Sequence, residues 1–420
     1  MNQKLKNRWL IALSAIGIHI SIGSVYAYSV MTNPVKDIFN VEGSEIKWAF
    51  KFAILFLGLT TTFLGRWVEK VGPKVSGTTA AILYGIGIIG SGLAVQMGSI
   101  WLFYLFYGVI GGVGLGLGYI TPVSTLVKWF PDKRGLATGM AIMGFGFSAL
   151  IFGPVMQELF ETVGVATTFY ILGSIYLVLI LVSSQYLEAP PEGYIPRGYE
   201  PGVGKQLKAD MSNIEAKEAL KTSRFYYLWL MMFINIAGGI TIIASASPMM
   251  QEKLDYTPIE AAAIVGFIGI FNGLGRIFWS SLSDFLGRAN MYILFFVFQI
   301  VAFYFLPKID SEWMFLAVLF TVITMYGAGY AILPAFVGDL FGTKELGIIN
   351  GMVLSSWAVA GVVGPTIYDV VKERTGSLDS TLAVFSGLFV IALVISFLMK
   401  NLFIKAHKSV VKESKLAAAA

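Results

Sequence analysis

Long apolar stretches, each broad enough to cross a bilayer, follow one another along almost the whole chain, and polar positions gather in the short gaps between them. A helix needs about 20 apolar residues to span the hydrocarbon. Twelve stretches meet that requirement: 9–31, 46–66, 74–96, 100–127, 135–160, 166–187, 224–249, 257–282, 289–307, 311–338, 345–369 and 378–403. One long polar segment, 188–223, interrupts the series; it opens with Pro190, Pro191 and Pro196 and continues as the charged, helix-capable run AKEALKTSRF. The pattern predicts an all-α membrane protein with twelve transmembrane helices. An N-terminal six-helix bundle over 1–187 is followed by a cytoplasmic linker over 188–223, a C-terminal six-helix bundle over 224–404 and a cytoplasmic tail over 405–420.

Composition agrees with a lipid environment. Of the 420 residues, 56% are hydrophobic and 13% charged, against about 25% charged in a soluble domain. The 46 glycines suit membrane helices whose backbones approach closely. The absence of Cys excludes disulfides and thiolate chemistry. Of the two histidines, His407 lies in the polar tail, which argues against a histidine-rich metal centre, so no metal or other cofactor is expected.

Charge placement changes the reading of the net +5. If both termini face the cytoplasm, 22 of the 30 Lys and Arg residues fall on that side, seven on the other, and one, Arg276, within a span. Such asymmetry sets membrane orientation and carries no nucleic-acid signal. The expectation is a multi-pass protein of the cell inner membrane with both termini cytoplasmic. The first apolar run is long enough to span and lacks a small-residue cleavage site, so no cleavable signal peptide is expected.

The two halves repeat. Gly118-Tyr119, ahead of Pro122 and Phe130, returns as Gly329-Tyr330 ahead of Pro334 and Phe341, and Gly153-Pro154 returns as Gly364-Pro365. The Tyr, Phe and Gly-Pro landmarks share one offset, which predicts two pseudo-symmetric six-helix bundles. Parallel six-helix repeats of this kind are the plan of the major facilitator superfamily. The loop after the second span, Gly65 to Lys74 with Glu69 and Lys70, resembles that superfamily's signature, and Ser280, Asp284, Gly287 and Arg288 form its counterpart. An acid at a helix end can pair with a basic group or a helix terminus and release it as halves move. Gly65, Glu69, Lys70, Asp284 and Arg288 are therefore gating candidates, the alternative being ordinary anchoring charge.

Arg276 stands near the middle of the eighth span, in FNGLGRIFWSS. An arginine there costs at least roughly 2.5–3.5 kcal/mol on insertion scales and marks a functional site by default. Its planar fork suits bidentate capture of a carboxylate, and Asn272, one turn earlier, can add a polar contact. The alternative is a structural arginine held by carbonyls or an acid, although Glu260, Asp284 and Asp339 all fall near span ends. Tyr119 and Tyr330 are related by the repeat and are expected to face a central cavity, where a phenol can bond a carboxylate; packing is the competing role. Tyr26 is a weaker candidate of the same kind. His19, near the middle of the first span, titrates in the range useful for carrying a proton, the alternative being a satisfied core histidine. Lys47 and Lys51 begin the second span, where snorkelling to the interface is expected and attraction of anions is the other option.

NPVKD at 33–37, FPDKRGLATG at 130–139, TSRFYYLW at 222–229, the FNG…R…FW…SD…GR array at 271–288 and GYAILPAFVGDLFG at 329–342 together resemble the oxalate/formate antiporter family of the major facilitator superfamily. The chain is also similar to the monocarboxylate (lactate) transporters, whose first helix resembles ISIGSVYAY at 20–28. The resemblance covers nearly the whole chain. It implies that Arg276 takes the substrate carboxylate and that Tyr26 faces the substrate. Where the oxalate exchanger has a second cation on its eleventh helix, this chain has Trp357. One cation balances one carboxylate, and a dianion would leave an uncompensated charge costing several kcal/mol in a low-dielectric cavity.

The helix 1 lysine and helix 8 acid of the animal monocarboxylate transporters read here as Val30 and Asn272. The resemblance implies proton symport of a short monocarboxylate, with electroneutral exchange as the rival mode and a non-transporting carboxylate sensor as the rival class. The expected partners are a small monocarboxylate anion, protons and membrane lipid, without nucleic acid, in a monomer. No metal cluster, nucleophile–base set or phosphate loop suggests an enzyme.

Overall fold

The computed structural model describes residues 5–130, 134–191, 194–196, 214–342 and 345–417. Much of the expected linker, at 192–193 and 197–213, lies outside these residues, as do positions 131–133 of the FPDKRGLATG run.

Among the described residues the chain is helical and holds twelve long helices. These are α1 Arg8–Phe39, α2 Gly43–Phe63, α3 Pro73–Gln96, α4 Ile100–Leu126 and α6 Val165–Tyr186, with α5 Arg134–Val163 between the last two. They are followed by α7 Ser223–Leu254, α8 Pro258–Leu286, α9 Arg288–Phe305, α10 Glu312–Phe341, α11 Leu346–Thr375 and α12 Leu378–Ala417. Eleven of them contain segments long and apolar enough to cross a membrane, α5 being the remaining long helix. The first span is longer than its apolar run: NPVKD lies inside the helix, with Pro34 within its last α-helical segment.

The ends of these helices follow from local sequence. Ser99 accepts a hydrogen bond from the Leu102 amide at the start of α4, and Glu42 with Glu45 makes a reciprocal capping box at the start of α2, a pattern that satisfies otherwise orphaned amides. The turns before α3 and α9 bend through Gly72 (φ 82°) and Gly287 (φ 84°), a region that side chains with a Cβ rarely enter. The α5–α6 and α11–α12 turns likewise use Gly164 (φ 81°) and Gly376 (φ 62°). The internal repeat is thus written in the turns as well as in the spans.

The chain divides into two compact units, and α7, α8 and α11 contribute to both. The first holds α1 to α6 with Ile240–Gly273 and Gly361–Asp369. Here glycines set helix contacts: a Cβ on Gly114 of α4 would stand 2.4 Å from the Tyr84 amide nitrogen of α3, and one on Gly146 of α5 would stand 2.4 Å from the Gly269 carbonyl oxygen of α8. The second unit holds the remainder of α7, α8 and α11 with α9, α10 and α12. Its interior is aromatic, with Tyr292, Phe296, Phe303, Phe336 and Phe389 linked ring to ring.

The outward faces are apolar, as lipid contact requires. Trp101 and Trp313 are 77% and 78% exposed near the starts of α4 and α10, where an interfacial aromatic belt is expected.

Candidate functional site

Arg276 and its aromatic neighbours belong to the second unit. Gly275, the residue before it, brings α8 against α10: a Cβ there would lie 2.2 Å from the Thr324 carbonyl oxygen. One turn further on, the Trp279 indole donates to Thr324 Oγ1 at 2.9 Å. Two contacts on one turn fix the rotation of α8, and that rotation carries the half-buried Arg276 to Tyr330 of α10, with the guanidinium carbon 5.4 Å from the ring centroid. A cation over an aromatic face is attracted by the ring quadrupole.

Tyr330 is held in turn. Its ring meets Trp357 of α11 edge-on at 5.1 Å and Tyr326 at 5.5 Å. Its backbone is positioned through Gly329, whose carbonyl accepts a hydrogen bond from the Tyr292 hydroxyl at 2.9 Å. Asn235 of α7 reaches the same stretch, donating to the Tyr326 carbonyl at 3.5 Å while its own oxygen accepts from Gln299 at 3.0 Å. The result is a guanidinium, a phenol and an indole in sequence, with buried amide bonds behind them.

In the first unit Phe145 of α5 is the hub. His19 approaches it at 5.4 Å, Tyr26 at 5.3 Å and Tyr119 at 5.7 Å, and His19 meets Tyr119 at 5.8 Å. Close backbone approach allows this: a Cβ on Gly144 would stand 2.7 Å from the His19 Cβ, and one on Gly23 would stand 2.6 Å from the Phe145 Cα. The stretch Gly23–Ala27 is 3₁₀, a tighter winding often found at hinges, and it carries Tyr26. His19 is fully buried. Asn272, also buried, precedes Arg276 by one helical turn.

The gating candidates form two pairs. Lys128 donates to Glu69, linking the end of the helix that continues α4 to the short helix Gly65–Val71. Arg288 donates to Asp339 of α10 at 3.0 Å and to Ser283 at 2.8 Å. Position 339 is the repeat counterpart of position 128, whereas Arg288 is not that of Glu69, whose place in the second copy of the loop is taken by Asp284. Gly65 is half-buried and Lys70 exposed. The side chain of Asp284 lies outside the described residues.

The expectation that Lys47 and Lys51 snorkel is overturned. Both are buried, and both donate to Asp369 of α11, Lys47 to Oδ1 and Lys51 to Oδ2, each at 2.8 Å. Lys47 also donates to Ser245 at 3.0 Å. Asp369 was hidden in the sequence because it ends an apolar run and looks like a loop charge. The four-residue spacing of the lysines, which puts them on one face of α2, was a signal of a shared partner.

Together these features define a polytopic helical carrier protein, with ionisable and aromatic groups placed inside its spans. The description of the Major Facilitator Superfamily matches residues 14–365 and 228–416, and the chain belongs to that superfamily. It is 28% identical over 370 residues to the oxalate:formate antiporter of Oxalobacter formigenes, covering 86% of this chain and 84% of that one. It is 24% identical to apicoplast pyruvate carrier 1 of Toxoplasma gondii, over 75% of this chain and 68% of the relative. Monocarboxylate transporter 10 of Mus musculus is 22% identical over 88% of this chain and 74% of its own. Among solved structures, a bacterial homolog of the human lysosomal transporter Spinster, in an inward-facing and unoccupied conformation, superposes with a TM-score of 0.71. It covers 95% of this chain and 98% of its own at 16% identity, a likeness of fold.

Proposed function

We propose that this transporter carries a short, lactate-like monocarboxylate by alternating access, coupled to protons as a symporter. The observation that carries the reading is Arg276, a guanidinium in an apolar span, stationed over the Tyr330 ring beside Trp357. A guanidinium offers a carboxylate two parallel charge-assisted hydrogen bonds. Tyr330 and, one turn before the arginine on the same helix, Asn272 supply further polar contacts, and Trp357 supplies an apolar wall for the alkyl part; Tyr119 and Tyr26 are the substrate contacts proposed for the first unit. Arg276 brings one positive charge and the indole brings none, so the site suits a monoanion. A second carboxylate would enter without a counter-charge, at a cost of several kcal/mol.

The carrier works as a monomer in the cell inner membrane, with a 1–187 bundle, a 224–404 bundle, and both termini and the 188–223 linker cytoplasmic. Glu69–Lys128 and Arg288–Asp339 break and re-form during the transport cycle. His19, buried beside Tyr119, is the candidate proton carrier. The 28% identity to an oxalate:formate antiporter favours a second reading, electroneutral exchange of one monocarboxylate for another.

Uptake into proteoliposomes loaded with buffer alone decides between them. Symport predicts that an inward proton gradient drives lactate, pyruvate, formate or acetate above its equilibrium level. Uptake that appears only when a counter-anion is loaded inside selects exchange. Flux of no monocarboxylate in either arrangement refutes the proposal.

A further inference from the structure

We infer that Lys47 and Lys51 of α2 form a second anion-receiving site, one that takes a carboxylate, and that Asp369 fills it in this structure. The inference rests on the carboxylate-transport reading and adds to it a contact distinct from Arg276.

The geometry is specific. Lys47 and Lys51 are one helical turn apart on one face of α2. Each ammonium takes a different oxygen of the same carboxylate at 2.8 Å, so Asp369 is held as a free monocarboxylate would be held, by both oxygens at once. Exposure is 6% for Lys47, 1% for Lys51 and 5% for Asp369. At such depth charges persist only when paired. Here two lysines converge on one acid. Aromatic faces support both ammonium groups, Tyr368 at 4.8 Å from Lys47 and Trp48 at 4.7 Å from Lys51, and Ser245 gives Lys47 a further acceptor.

The acid arrives on a separate helix. α11 lies against α2 so closely that a Cβ on Gly361 would stand 2.2 Å from Ile54 Cγ2, and Asp369 follows about two turns later on the same rigid helix. When that end of α11 withdraws, the carboxylate leaves with it, and both ammonium groups lose the anion they share. An arriving substrate carboxylate presents the same two oxygens and restores the pairing. Asp369 is therefore the competitor of the substrate at this site, and the two lysines collect anions whenever that end is open.

Opposite effects of the acid and the lysines test this. In oriented proteoliposomes, with monocarboxylate uptake measured from the face opposite the termini, Asp369→Asn removes the competitor and is expected to lower the KM about three- to ten-fold. Lys51→Gln removes half the receiver and is expected to raise it by about the same factor. If the three residues were only a latch, both substitutions would loosen the same closed end and move the KM in the same direction, a result that overturns the inference. Should the wild type move no monocarboxylate, the transport reading fails while the site remains testable. The chain has no Cys, so Lys51→Cys gives a single thiol beside Lys47. An anionic methanethiosulfonate is expected to modify it about five-fold or more faster than a cationic one. Equal rates, faster cationic labelling or no labelling by either reagent refutes the site.

Discussion

Trp357 is the side chain on which the proposed choice of substrate turns. Its indole is buried against Tyr330, at the position where the resemblance places a lysine. Replacing Trp357 by Lys restores a second cation and is expected to move preference towards dicarboxylates, roughly ten-fold or more in the ratio of oxalate to lactate uptake, since about 1.4 kcal/mol corresponds to a factor of ten. An unchanged ranking of substrates would remove the charge-count argument. His19 gives a second prediction at this scale: His19→Gln is expected to retain binding but uncouple uptake from the proton gradient, and full pH-driven accumulation by the variant would eliminate it as the proton carrier. Arg276 was legible in the sequence because an ionisable residue in an apolar run is conspicuous. The pairing of Lys47 and Lys51 with Asp369 was not, because a sequence shows polar positions without showing which distant helix delivers their partner.

Helix contacts rather than loops position these side chains. α8 is fixed on α10 by Gly275 and by the Trp279–Thr324 bond, so Gly275→Val is expected to push the helices apart and rotate Arg276 away from Tyr330. Overpacking of this kind typically costs about 1–3 kcal/mol. The expected outcome is a lower melting temperature with most monocarboxylate binding lost, checked by thermal-shift titration; a variant that binds as the wild type does would show that the contact leaves the arginine unplaced. The paired ends of the repeat give a further test. Glu69→Lys with Lys128→Glu reverses the Glu69–Lys128 pair and is expected to recover most of the transport lost in either single variant, whereas a double variant no better than the singles would assign the two charges independent roles. That position 128 and position 339 answer one another was readable from the repeat. Their partners were not, since Glu69 and Arg288 stand at different places in the two copies of the loop. The 3₁₀ winding at Gly23–Ala27 also escaped the sequence, where the stretch reads as uninterrupted apolar helix.

At the scale of the whole molecule, twelve spans were legible because the bilayer imposes them, each having to be apolar and satisfy its own backbone, and the repeat and the superfamily plan were legible from landmarks that return at one offset. The function proposed for that scaffold depends on one guanidinium meeting one carboxylate. The most direct measurement is the initial rate of proton-driven lactate uptake by Arg276→Lys relative to wild type, at equal protein in the bilayer. Lysine keeps the charge and loses the bidentate fork. Loss of a charge-assisted hydrogen bond, at about 1.5–3 kcal/mol, predicts a fall of roughly ten- to a hundred-fold; uptake within two-fold of wild type would contradict the account.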